Sequence, residues 1–215
     1  MTADLVETLP LAHRLALSYA PARAREATLV LLALDERLAA IMRQRGEPVI
    51  AQMKLAWWRD RFAQTPEDWP AGEPLLALLA HWPGDVARLG AVVDGWEMLL
   101  GERLAEPELL DYAHARTAGW ADLSKSFGVG VNGAQRVAAR YALADLAFHL
   151  DAGDERDSAL RVLGNRATTV RLTKPLRALT VLHGLAMRAL DKGSADLLEG
   201  PGAMALAMRL GITGR

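Results

Sequence analysis

Apolar residues recur at spacings of three and four through most of the chain, with Gly and Pro clustered between the apolar runs. That period puts side chains on one face of a helix. A first short helix is predicted over about Leu11–Tyr19. Pro21 can open a long one, since the N–H that proline lacks is unused in a first turn; it runs to about Arg45 and stops at Gly46. Pro48 opens the next, through Phe62, in which Val49, Met53, Ala56 and Trp57 share a face. Thr65–Pro74 holds Pro66, Pro70, Gly72 and Pro74 and reads as a loop.

Further helices are expected over about Leu75–His81, from a cap at Asp85 to about Leu100, from Glu106 to Phe127, from Gly133 to about Leu150, from Pro175 to near Asp191, and over Ala203–Leu210. Stretches rich in Val, Ile, Thr and aromatics are few, so strands are poorly supported. The pattern implies an all-α, single-domain helix bundle over residues 1–215, with roughly eight or nine helices and no repeat.

Composition agrees. Hydrophobic residues make up 51% of the 215, enough for a real core. The 25 basic and 26 acidic residues give a net charge of -1, which argues against a broad nucleic-acid surface. The absence of cysteine excludes disulfides, thiolate catalysis and Cys-ligated metals, and fits a cytoplasmic protein. The N-terminus, Met1 to Glu7, has two acids and no basic run, unlike a secretory signal. The longest apolar run, in Ala27–Leu34, is far too short to span a bilayer, which leaves open a peripheral contact at the inner face of the membrane.

Three segments carry a resemblance. Ser18-Tyr19-Ala20-Pro21 leads into the long apolar helix, and Glu47-Pro48 leads into the helix ending Trp57-Trp58-Arg59-Asp60. Further on, Leu109 to Trp120 contains Tyr112 among small residues. These stretches resemble the squalene/phytoene synthase family, and within it the branch near the mitochondrial complex I assembly factor, a member thought not to be an enzyme. The resemblance implies an isoprenoid synthase fold. Enzymes of the family join two prenyl diphosphates, using two DxxxD motifs that face each other across a cavity and hold Mg²⁺.

Carboxylates at i and i+4 share a helical face, and two such pairs with diphosphate oxygens and water can complete an Mg²⁺ octahedron. The first motif would lie on the Pro21–Arg45 helix, where the acids are Glu26, Asp35 and Glu36. The family's register falls on Ala39 and Arg43, so the carboxylate pair is missing. Asp35-Glu36-Arg37 reads as a solvated or interface patch. The second motif falls near Leu146–Asp157, where Asp151 and Glu155 are the candidate metal ligands of a degraded site. Ala147 and Leu150 replace the preceding Asn and Arg, and the plainer reading of these acids is a polar turn capping the next helix. Asp94 and Glu97 form another acidic pair, read as surface.

Candidate diphosphate-binding residues are Arg23 and Arg25 at a helix start, and Arg171 and Lys174 in a cluster with Arg166 and Arg177. The five histidines are scattered without zinc spacing, and Gly128 to Gly133 reads as a helix–helix turn. Trp57 is expected in the core and Trp58 partly exposed. No catalytic residue is assigned. The favoured reading is a catalytically degenerate family member, needing no cofactor and acting as a binding or assembly factor for a respiratory-complex subunit or a membrane surface. Its alternatives are an active Mg²⁺-dependent prenyl transferase and an isoprenoid-binding protein without turnover.

Overall fold

Pro21 and Pro48 begin helices as their fixed φ allows, and the rest of the chain follows the helical period. The structure, a computed structural model, describes residues 2–44, 47–101, 104–164, 171–194 and 196–215. Among these there are helices and no strand. In chain order they are α1 (Thr2–Thr8), α2 (Leu11–Ser18), α3 (Ala22–Arg43), α4 (Pro48–Phe62), α5 (Pro74–Leu79), α6 (Gly90–Met98), α7 (Glu106–Arg116), α8 (Ala118–Ser126), α9 (Val131–His149), α10 (Asp154–Leu163), α11 (Arg177–Lys192) and α12 (Pro201–Thr213). Short 3₁₀ turns cover Pro66–Asp68, Val86–Leu89 and Lys174–Leu176. Arg45 and Gly46, where the long helix was expected to end, lie outside the described residues.

Helix α3 is apolar all round over Leu29–Leu34, and each of those six residues is buried. Such a helix belongs at the centre of a fold. It packs on α1, α2, α4, α5, α6 and α8. Helix α9 is the second hub, against α7, α8, α10 and α11, and α11 carries α2 and α12 on its other sides. The functional site lies between these hubs.

The stretch expected as one helix from Glu106 to Phe127 is two, α7 and α8, divided at Thr117. Thr117 Oγ1 donates to His114 O at 2.7 Å, and its backbone N–H bonds the same carbonyl at 2.9 Å. A hydroxyl that bonds back onto its own helix bends it. Just beyond, Gly119 lets α8 approach α3: a Cβ there would overlap the Leu31 side chain. Two helices were not foreseen, α1 and α10, both short and strongly polar.

Helix α4 presents the opposite face to the one expected. Leu55, Trp58 and Phe62 are buried, while Val49 and Met53 are exposed; Trp58 keeps 4% of its surface and Trp57 37%. Both faces are apolar, so periodicity alone does not choose between them. The contact with α6 does. Arg59 Nε donates to Asp94 Oδ1 at 2.7 Å and its Nη2 donates to Glu97. The Glu97 hydrogen bond leads the causes that hold Arg59 above its ordinary range. An exposed ion pair contributes at most about 1 kcal/mol. Burying Leu55 and Phe62, at roughly 1.5–3 kcal/mol each, contributes more. The acidic pair Asp94 and Glu97 thus has a structural partner in the Trp-Arg-Asp segment.

Candidate functional site

Arg116 is the last residue of α7, and the break at Thr117 follows it directly. Its side chain is only 4% exposed. A buried guanidinium needs acceptors for its five N–H donors, and three helices bring them. Nη2 lies 2.6 Å from Asp35 Oδ2 on α3 and 3.7 Å from Asp145 Oδ2 on α9. Nη1 donates to the Tyr112 hydroxyl one turn earlier on α7. The group also lies over the Trp96 ring, 4.4 Å from its centroid, a placement that the ring quadrupole favours. Trp96 Nε1 in turn donates to Asp35 Oδ1 at 2.9 Å. Both oxygens of Asp35 are therefore occupied by protein donors. Beside them the Tyr141 hydroxyl and His13 Nε2 are hydrogen-bonded at 2.9 Å.

The i, i+4 spacing explains why each helix contributes a pair: Tyr112 and Arg116, Tyr141 and Asp145, Asp35 and Ala39. Burial sets the titration of the group. It raises Asp35 above the usual carboxylate range, against the opposite pulls of Arg116 and the Trp96 hydrogen bond. It raises Tyr112 and Tyr141 as well, so both hydroxyls stay protonated. Burial alone would lower Arg116, but Asp35, Tyr112 and Asp145 outweigh it and keep the guanidinium charged.

Asp35 and Asp145 face a cavity of about 660 Å³, within the range of small-molecule sites. Its lining runs from buried Tyr112, Trp96 and His13 out to exposed Leu11, Arg43 and His149. Ala39, Met42, Leu99, Leu146, Phe148 and Leu150 make its walls largely apolar.

Ala39 and Arg43, the register of the family's first acidic motif, do line this cavity. Arg43 is paired with Glu36. Asp35, expected in a solvated patch, instead points inward, with 16% of its side chain exposed, because Arg116 and Trp96 supply the donors that let a carboxylate leave water. Of that triplet only Arg37 behaves as a surface residue, paired with Glu73.

Asp151 lies in the exposed turn after α9, and Glu155 lies in α10. The helix that would align them is interrupted at Gly153, whose φ is 158°. Glu155 Oε1 accepts from the Leu104 N–H at 3.1 Å, and Asp154, Glu155 and Asp157 fill the first turn of α10, where the helix dipole favours acids. Arg23, the second residue of α3, lies 5.6 Å over the Phe127 ring. Arg25 donates to Ser18 O at 3.0 Å. Arg171 and Lys174 are exposed, Arg177 is buried, and Arg166 falls outside the described residues. None of Asp151, Glu155, Arg23, Arg25, Arg171 and Lys174 lines the cavity.

Sequence reasoning missed Arg116 and Asp145. The available signal was the pair of i, i+4 couples, Tyr112 with Arg116 and Tyr141 with Asp145, each a polar stripe on a mostly apolar helix. Among the described residues no three His, Asp or Glu side chains converge where they could hold a metal ion.

A family model for squalene/phytoene synthase matches residues 13–120. That span begins at His13 on the cavity and carries Asp35, Trp96, Tyr112 and Arg116. No curated protein matches the chain, and no solved structure does. The matched span covers just over half of the 215 residues and holds one side of the cavity, while Asp145 and the rest of α9 lie beyond it; the chain is a member of the squalene/phytoene synthase family, with the all-α fold of the isoprenoid synthase type.

Proposed function

We propose that this chain is a family member that binds an apolar ligand in the cavity without condensing prenyl diphosphates, and that it acts as a binding or assembly factor. The observation that carries this reading is Arg116 Nη2, seated between Asp35 and Asp145 where acids facing across a cavity would otherwise hold cations.

The residues present do not fit Mg²⁺. Mg²⁺ demands a near-octahedral set of oxygens, usually one or two carboxylates with waters and substrate phosphates. Both Asp35 oxygens already accept hydrogen bonds from Arg116 and Trp96. One turn on stands Ala39, which offers no donor, and one turn beyond Asp145 stands His149, so neither acid has a carboxylate partner at i+4. Arg116 already fills the place between the two acids, so a metal could not bridge them.

Exposed apolar residues give an assembly factor surfaces to use: Val49, Ile50 and Met53 on α4, and Met204, Met208 and Ile212 on α12. Both sets follow helical spacing, as a helix docked on a partner requires. No helix among the described residues is long and apolar enough to cross a membrane.

One observation favours the alternative of an active prenyl transferase: Asp35 and Asp145 face one cavity from two different helices. Incubation with farnesyl diphosphate and Mg²⁺ separates the two readings. The proposal expects neither diphosphate release nor a condensed hydrocarbon. Release of diphosphate with formation of such a product would establish the alternative.

A further inference from the structure

The charges around the cavity cancel unevenly. Asp35 is matched by Arg116 and Glu36 by Arg43. Asp196, at the rim, uses Oδ1 to accept the Leu198 N–H at 2.8 Å. Asp145 is different. Among the described residues no donor lies within hydrogen-bond distance of its carboxylate; the nearest cationic nitrogen is Arg116 Nη2, at 3.7 Å. His149 Nδ1 is 3.8 Å away, but it sits 2.8 Å from the backbone carbonyl of Asp145. A carbonyl only accepts, so the Nδ1 proton goes there and not to the carboxylate.

Asp145 is therefore an acid with open acceptor capacity, 16% exposed, at the wall of a largely apolar cavity. A second polar group nearby is also unused. His13 lines the cavity at 8% exposure, and its buried Nδ1 has no protein partner. An anionic head would meet like charge at Asp145, which is unfavourable away from water. A cationic donor would gain a charge-assisted hydrogen bond.

We infer that the cavity takes a single-chain apolar molecule with an amine head, and that Asp145 holds the ammonium. This rests on the non-catalytic reading above and adds the head group that the ligand must carry.

The test compares matched tails on the full chain: dodecylamine, dodecanol and dodecyl phosphate, each below its micelle concentration near neutral pH. Binding is followed by calorimetry and by the fluorescence of tryptophan, since Trp96 lines the cavity. The amine should bind at least about tenfold more tightly than the phosphate, with the alcohol between them. Asp145→Asn should bring the amine to the level of the alcohol and leave the alcohol unchanged. The ranking on the unmodified chain decides the matter even if that variant does not fold. Equal or tighter binding of the phosphate overturns the inference, as does binding of none of the three or a variant that keeps the amine preference. Product formation from a prenyl diphosphate would overturn the non-catalytic reading; a ranking against the amine without such product overturns the head-group inference alone.

Discussion

Arg116→Met is expected to cost about 3–5 kcal/mol of unfolding free energy near neutral pH, the usual penalty for removing one partner of a buried pair. Methionine fills similar volume, so the loss reports charge and hydrogen bonding more than packing. The variant leaves Asp35 and Asp145 facing each other with no cation between them and takes a donor from the Tyr112 hydroxyl. The pH dependence identifies the cause. Burial already raises Asp35, and Arg116 is the strongest of the influences that oppose it. Without Arg116 the folded carboxyl binds its proton still more tightly than the unfolded one does. Stability of the variant should therefore rise as pH falls through that raised value toward the ordinary carboxylate range, where the gain is complete. Urea unfolding at neutral and mildly acidic pH measures both effects. Adding Asp35→Asn to Arg116→Met should restore part of the loss, because it removes the charge left unpaired. A variant as stable as the parent at neutral pH would show that Arg116 is not the cation that balances the two acids.

The second large effect is acid sensitivity from His183. This residue of α11 is buried, and its Nε2 has no protein partner. Burial, with Arg140 nearby, pushes its pKa down to about 4, against an ordinary value of 6.5. The sign follows from proton counting. Above the ordinary value the ring is neutral in both states and its stability contribution is complete. Below it the unfolded chain takes up a proton that the folded chain refuses, so stability is lost as pH falls toward 4 and through it. At about 1.4 kcal/mol per pKa unit, the full loss is about 3 kcal/mol. His183→Leu should remove this component, so the difference between parent and variant across that window isolates it from Asp35, whose contribution has the opposite sign. Parallel profiles for the two proteins would mean that His183 is protonated as readily inside the fold as outside it.

Much of the fold was legible because proline and the helical period are local signals. Helix α4 runs from Pro48 to Phe62 as those signals require, and α2, α5, α9 and α11 fall within a few residues of expectation. Two of the misses share a physical origin: each was decided by a partner distant in the chain. Nothing local tells which face of α4 is buried; the acids of α6 and the packing of Trp58 do. In Asp35-Glu36-Arg37, three adjacent charges look equally fit for solvent. Asp35 goes inward because Arg116, 81 residues away, meets it there. The split at Thr117 rests on a side chain bonding its own helix, which competes with helical continuity but leaves the apolar period intact. The family's motif register was readable in one respect, since Ala39 and Arg43 do line the cavity. Asp35 faces it from four residues before the first motif's register at Ala39, and Asp145 from six residues before the candidate Asp151.

A guanidinium occupies the place between the acids where a metal would be needed to receive a diphosphate. Calorimetric titration of the full chain with a non-hydrolysable farnesyl diphosphate analogue, with and without Mg²⁺, tests this most directly. Arg116 between Asp35 and Asp145 predicts no Mg²⁺-dependent binding of the analogue. Saturable binding that appears only when Mg²⁺ is added would mean that the two acids still recruit the metal, and would contradict it.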